Sequence, residues 1–228
     1  MNETILINGE DVMNHGAEAL REYSIGGTPI ENTVFMGRNR SSYTLIASVY
    51  GRKEISFTLV YSGATQREAY LAKSTVEAMM WGKPEIYMPN EFYYTATLES
   101  IDDSVFEGDE GNQVLLPVKY TFSGIQHDPL VTVTGGTFTN PGTLPFADCR
   151  VSCAVTTAAD SYLLAGVTFA DVTAGEQLVV DGILKRILRN GAPAPGNVAF
   201  INFPVVVPGE NTFTATDPVT VEYYPCYL

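Results

Sequence analysis

From residue 128 onward the sequence carries no helical period. It offers only short alternating runs, broken every few residues by Gly, Pro, Asn or Asp. "CRVSCAV" places Cys149, Val151, Cys153 and Val155 on one face of a strand. "QLVVDGILKRIL" sets Asp181-Gly182 between two apolar runs, the strongest short-range hairpin signal in the chain. "FPVVVPGENTFTAT" is a β-branched run, a reversal at Pro208-Gly209, and a second alternation that returns Phe213 to the interior. Asn211 tolerates the turn geometry there, and "PVTVEYY" adds a last strand. A sheet that buries one face needs a second layer against it. Many short strands at regular spacing therefore predict a two-layer β-sandwich.

The front half reads differently. "KEISFTLVY" alternates strictly, with Ile55, Phe57, Leu59 and Tyr61 on one face and Glu54, Ser56 and Thr58 on the other. In "SGATQREAYLAKSTVEAMMWGKP" the period changes. Ala69, Ala72, Val76, Met79 and Met80 recur at helical spacing, and Gly82 and Pro84 end the run. Lys73 and Glu77 stand four apart and are expected on the wetter side of this helix. "YYTATLESI" and "VLLPVKYTF" resume the strand pattern around an acidic loop, "DDSVFEGDEGNQ", which predicts a hairpin. A turn-rich junction, "HDPLVTVTGGTFTNPGTLP", follows. The expected fold class is mainly β. A β-rich domain with one α-helix occupies residues 1–129, and a β-sandwich occupies residues 130–228.

Charge narrows the function classes. The chain has 228 residues and a formal net charge of −13. Phosphate recognition needs clustered Lys and Arg, so such a chain repels nucleic acid and anionic membranes. No run approaches the ~18 apolar residues of a membrane helix. The first thirty residues show no secretory pattern, and the expectation is synthesis and folding in a cytoplasm. Three cysteines without a leader argue against a disulfide framework. Cys149 and Cys153 share a strand face ~13 Å apart, too far to bridge, and read as buried thiols.

No constellation points to catalysis. "EGDEGN" (residues 107–112) lacks an acidic closing position for an EF-hand and reads as a solvated hairpin tip. His15 and His127 have no second ligand near them and read as surface residues. Serine-nucleophile and phosphate-loop motifs are missing. The expectation is a protein that is not an enzyme and has no cofactor and no metal. Two stretches suit contacts between subunits. "FYYTATL" brings Phe92, Tyr93 and Tyr94 together, and aromatic residues are enriched in subunit interfaces. "GRNRSSY" is the most basic stretch, and its Arg38 and Arg40 could pair with an acidic neighbour. Both readings compete with plainer ones, a core strand and a polar loop.

The order of these pieces resembles the distal tail proteins (Dit) of long-tailed bacteriophages. "ILINGEDVMNHGAEAL" resembles the family's opening, a strand ending in Asn-Gly that leads to a Gly-Ala. "GRKEISFTLVYSGATQREAYLAKSTVEAMM" resembles its strand and helix. "GTFTNPGTLPFADCRVSCAV", "LVVDGILKRILRNG", "FPVVVPGENTFTAT" and "VTVEYYPCYL" resemble its C-terminal domain. The resemblance implies a structural hub of the virion tail tip: a hexameric ring, single or stacked, formed by the N-terminal domain. A galectin-like C-terminal domain would face outward. It also implies the partners, namely the tail tube protein and a tail-associated or receptor-binding protein of the baseplate. DNA would be present only in passage through the ring, without sticking. Six copies would carry about −78 in formal charge, a lumen that repels phosphate.

The alternative is a carbohydrate-binding module for host-surface recognition. The galectin sugar site is not present residue by residue, because the only tryptophan is Trp81 and no histidine follows His127. Tyr223, Tyr224 and Tyr227 could stack on a sugar ring, but core or interface packing is the plainer reading.

Overall fold

The computed structural model describes residues 4–37, 42–103, 105–108, 113–194, 198–200 and 202–228. The chain is mainly β and divides into two compact units, Met1–Gln126 with Leu228, and His127–Tyr227.

The first unit is built on one antiparallel sheet. Its strands run in the order Glu10–Asp11, Leu6–Ile7, Glu85–Tyr87, Tyr93–Asp103, Val114–His127, Lys53–Gly63 and Ala17–Ile25. Lys53–Gly63 and Val114–His127 pair without interruption from Gly63 opposite Val114 to Lys53 opposite Gly124. That register puts Ile55, Phe57, Leu59 and Tyr61 on the same face as Leu116, Val118, Tyr120 and Phe122, all buried.

The only α-helix among the described residues, Gln66–Ala78, closes this face with Ala69, Val76 and the adjoining Met80. Its start is a variant of the capping box, in which the Glu68 carboxylate reaches one residue beyond the cap Thr65. Thr65 Oγ1 accepts from Glu68 N at 3.3 Å, and Glu68 Oε2 accepts from Ala64 N at 2.7 Å. Gly82, at φ 80°, turns the chain away before Pro84.

One expectation about the helix is overturned. Lys73 and Glu77 do not face water: their side chains are only 13% and 22% exposed. They pair at 3.4 Å, and Glu77 Oε1 accepts from the Tyr120 hydroxyl at 3.4 Å. Tyr120 in turn shares a 2.8 Å hydrogen bond with the Tyr61 hydroxyl. Two phenols reach out of the sheet and need polar partners, and this pull turns the charged pair inward.

The second unit is a β-sandwich. One layer runs Val131–Thr134, Val219–Tyr223, Ala147–Ala154, Gln177–Asp181, Arg186–Arg189, Ala192–Pro193. Opposite it lie Ala159–Leu164, Val167–Val172 and Val198–Phe200, with Thr137–Asn140 and Gly209–Thr212 pairing separately. Cys149, Val151 and Cys153 point into the shared core with Leu178, Val180, Val219 and Val221. The cysteines are free, and burial pushes the Cys149 thiol up to about 12, which leaves it unreactive at neutral pH.

Two turns differ from expectation. The reversal after Asp181 takes four residues, so Ile183 and Leu184 belong to the loop and the next strand begins at Arg186. Asp181 Oδ1 accepts from Leu184 N at 2.9 Å, and Gly182 passes so close to the Cys149 and Pro204 carbonyls that a Cβ would stand 2.7 and 2.8 Å from their oxygens. At Pro208-Gly209 the reversal occurs, with Gly209 at φ 83°. Asn211 is a strand residue, however, and its buried amide ties the turn together. Its Oδ1 accepts from Val207 N at 2.8 Å, and its Nδ2 donates to the carbonyls of Val207 and Gly209 at 2.8 and 2.9 Å. Phe213 packs against the core and stacks on Phe138 with ring centroids 6.2 Å apart.

Asp217 locks the second unit. It is 7% exposed, and Oδ2 accepts from the Tyr162 hydroxyl at 2.9 Å and from Thr156 N at 3.3 Å. The Thr156 hydroxyl donates to Oδ1. The Thr156 hydroxyl first, and then Tyr162 and Thr156 N, hold the carboxyl below its ordinary range against the opposing effect of burial. A depressed folded pKa means that this stabilisation is complete above the unfolded value near ~3.9 and is lost as pH falls through the folded one. Asp217→Asn should therefore melt lower than the parent at neutral pH, and the two melting curves should converge as the pH drops below about 4. Parallel curves down to low pH would show that this carboxylate is not the titrating lock.

Candidate assembly surface

The first unit carries an arm. Ile30–Met36 and Tyr43–Tyr50 form a two-stranded antiparallel sheet that, among the described residues, pairs with no other strand. The backbone bond from Gly51 N to Pro29 O, 2.7 Å, closes its base. Ile30 stands opposite Tyr50 and Asn32 opposite Ser48, and the Ser48 hydroxyl donates to Asn32 Oδ1 at 2.7 Å. A one-residue shift follows Thr33, after which Val34 pairs with Leu45 and Met36 with Tyr43. Ile46 is the extra residue.

The register assigns the faces. Ile30, Val34, Met36, Tyr43, Leu45 and Tyr50 share one side, interrupted only by Asn32 and Ser48. Glu31, Thr33, Phe35, Thr44, Ala47 and Val49 share the other. Neither side is covered. Phe35 is 63% exposed, Ile46 64% and Tyr43 70%, and nine of the chain's large exposed apolar side chains lie in this arm.

A lone two-stranded ribbon is marginal in water, and contiguous exposed apolar surface marks an interaction site. The arm's unpaired strand edges also offer backbone donors and acceptors to another chain. Glu31 is its only charged residue among those described, so burial of the arm requires a partner for one carboxylate only.

The residues singled out from sequence fall as follows. Arg38 and Arg40 lie outside the described residues, and Gly108 is the last described residue before the rest of the "EGDEGN" stretch. Tyr94 is fully buried, and its hydroxyl accepts from Asn90 Nδ2 at 2.7 Å. Phe92 and Tyr93 are half-buried, with Tyr93 packed on Tyr87 at a centroid distance of 4.9 Å. His15 sits 3.5 Å from Glu10. His127, expected at the surface, is 2% exposed. Its Nδ1 is 2.8 Å from the Asp128 carbonyl oxygen, and its ring meets Tyr224 edge-on.

Sequence reasoning missed the arm, although its composition was a signal: two β-prone runs with apolar residues on both faces and one charge.

A concave surface lies in the sandwich unit, lined by residues including Leu130, Arg150, Asp181, Arg186, Glu222 and Tyr224. Its guanidiniums are paired, Arg150 with Glu222 at 3.0 Å and Arg186 with Asp181 at 3.1 Å, while the buried Arg150 Nε has no partner among the described residues.

No family model matches the chain, and no curated protein is detectably similar to it in sequence. Solved structures are similar in fold. One is the SPP1 Dit (gp 19.1) protein, described as a paradigm of hub adsorption apparatus in Gram-positive infecting phages. The TM-score is 0.74 at 14% identity, over 99% of both chains. Another is a chain of the phage P2 baseplate in its activated conformation with Ca, with a TM-score of 0.53 at 8% identity over 94% of this chain and 92% of that one. The fold is that of the Dit-type tail hub.

Proposed function

We propose, from the Dit-type fold and the uncovered arm, that this chain is a structural hub of a phage tail that assembles with copies of itself into a ring of six, alone or in stacked pairs. The arm carries this reading: a ribbon with large apolar side chains exposed on both faces is suited to burial against another chain. The ring would join the tail tube to a baseplate or receptor-binding protein at the virion tail tip, after synthesis in the bacterial cytoplasm. DNA would pass without adhering to a ring so acidic overall.

Residues 1–129 would form the ring, and the galectin-like sandwich of residues 130–228 would face outward. Arg38 and Arg40, which follow the arm's first strand in sequence, and Phe92 and Tyr93 are proposed contact residues. The enclosed Tyr94 would act only by anchoring its strand. The role requires no catalytic group.

Light scattering on the purified chain over a range of concentrations tests this. The expected mass is that of six chains or a multiple of six, each chain being 24.8 kDa. A monomer at every concentration would overturn it.

A second reading, carbohydrate recognition by the sandwich unit, draws on the cleft beside Tyr224, where an aromatic ring, guanidiniums and carboxylates converge. A glycan array probed with the whole chain distinguishes it.

A further inference from the structure

The helix Gln66–Ala78 has an unusual outer face. Its charged pair Lys73–Glu77 turns inward to Tyr120, while Leu71, 57% exposed, and Ala78 point outward. Just past the helix end stands Trp81, 77% exposed. Solvent-facing helix stripes are ordinarily charged. This one is uncharged from Leu71 to Trp81 and is flanked by two exposed cations, Arg67 and Lys83, the neighbouring exposed Glu68 being engaged by Ala64 N.

The same unit carries a second apolar surface of different shape, the flat arm. Two unlike surfaces on one chain join copies head to tail, and a head-to-tail contact closes into a ring when the rotation allows. Their dimensions agree. The thirteen-residue helix and the seven-residue strand Ile30–Met36 each span about 20 Å. Their charges agree too. The arm's single described charge is the acid Glu31, and the stripe ends in cations on a chain with a net charge of −13.

We propose that the arm of one copy lies along the Leu71–Trp81 stripe of the next. The contacting face is the one carrying Glu31, Phe35 and Val49, and Glu31 is directed to Arg67 or Lys83. This rests on the ring reading and names the contact that builds the ring.

Trp81 is the chain's only tryptophan, so its fluorescence reports directly on whether the stripe is covered. At concentrations where light scattering finds the ring, emission should lie at shorter wavelength than after dilution to monomer. A benzophenone side chain in place of Phe35 should cross-link, between chains, to the peptide spanning residues 66–83. Arg67→Glu should weaken assembly at low salt, and Glu31→Lys in the same chain should restore it.

A ring of six whose Trp81 emission does not move, or whose Phe35 cross-links fall in other peptides, overturns the arm-on-helix contact and leaves the ring standing. A monomer at every concentration overturns both.

Discussion

Serine at Phe35, Leu45 and Ile46 together should leave a chain that folds and melts like the parent and no longer assembles. The three side chains are 63%, 53% and 64% exposed, so the isolated copy loses little packing when they shrink. Exposed substitutions of this kind ordinarily fall within about 0.5 kcal/mol each. The assembled state is different. Fully burying one such side chain is worth roughly 1.5–3 kcal/mol. Only those on the contacting face are buried, and losing one or two of them weakens the contact by roughly 2–4 kcal/mol, about thirty- to a thousandfold in dissociation constant. The residues span both arm faces, so the prediction holds whichever face meets the neighbouring helix. Light scattering reads the mass, and thermal melting of the same samples shows that the monomer is intact. A variant that still forms the parent's ring would show that the arm does not build it.

The sequence displayed most of what is buried and little of what is presented. Ile55, Phe57, Leu59 and Tyr61 alternate because one face of their strand meets the core, and Ala69, Val76 and Met80 recur because one helix face meets it too. Alternation and helical period are records of one-sided burial, so both elements could be read directly. The arm has no inner side within this chain. Ile30, Val34 and Leu45 on one face and Phe35 and Val49 on the other give no clean period, because among the described residues nothing covers either face. Lys73 and Glu77 misled for a related reason. Spacing alone treats charge as a mark of solvent, and it took the register of Tyr61 and Tyr120 to show hydroxyls that need them. The turns show the same limit. Asp181-Gly182 marked a reversal, but neither its four-residue length nor the close passage of Gly182 by the Cys149 and Pro204 carbonyls, contacts far away in sequence, is written in the pair. Asn211 was expected for its backbone tolerance, and its contribution comes from the amide side chain bridging Val207 and Gly209.

Phe57→Ala should be the most destabilising single substitution argued for the first unit, and its contrast with Phe35→Ala separates the two kinds of apolar surface. Phe57 is 1% exposed. Its ring lies 5.7 Å from that of Tyr120, directly across the strand pair, and 5.5 Å from that of Phe122, its diagonal neighbour. Truncation removes both aromatic contacts and leaves a void that a sheet fixed by eleven consecutive residue pairs cannot close by shifting one strand. The cost is about 3–5 kcal/mol, against a typical total of about 5–15 kcal/mol for a domain. Phe57→Leu keeps much of the volume and should cost distinctly less. Phe35→Ala, at 63% exposure, should change monomer stability by no more than about 0.5 kcal/mol while weakening the ring. Denaturant titration of dilute chains, followed by circular dichroism, measures all three without interference from assembly. Similar midpoints for Phe57→Ala and Phe35→Ala would mean that the sheet face under the helix is not the unit's packed core, and the assignment of buried and presented surfaces would fall with it.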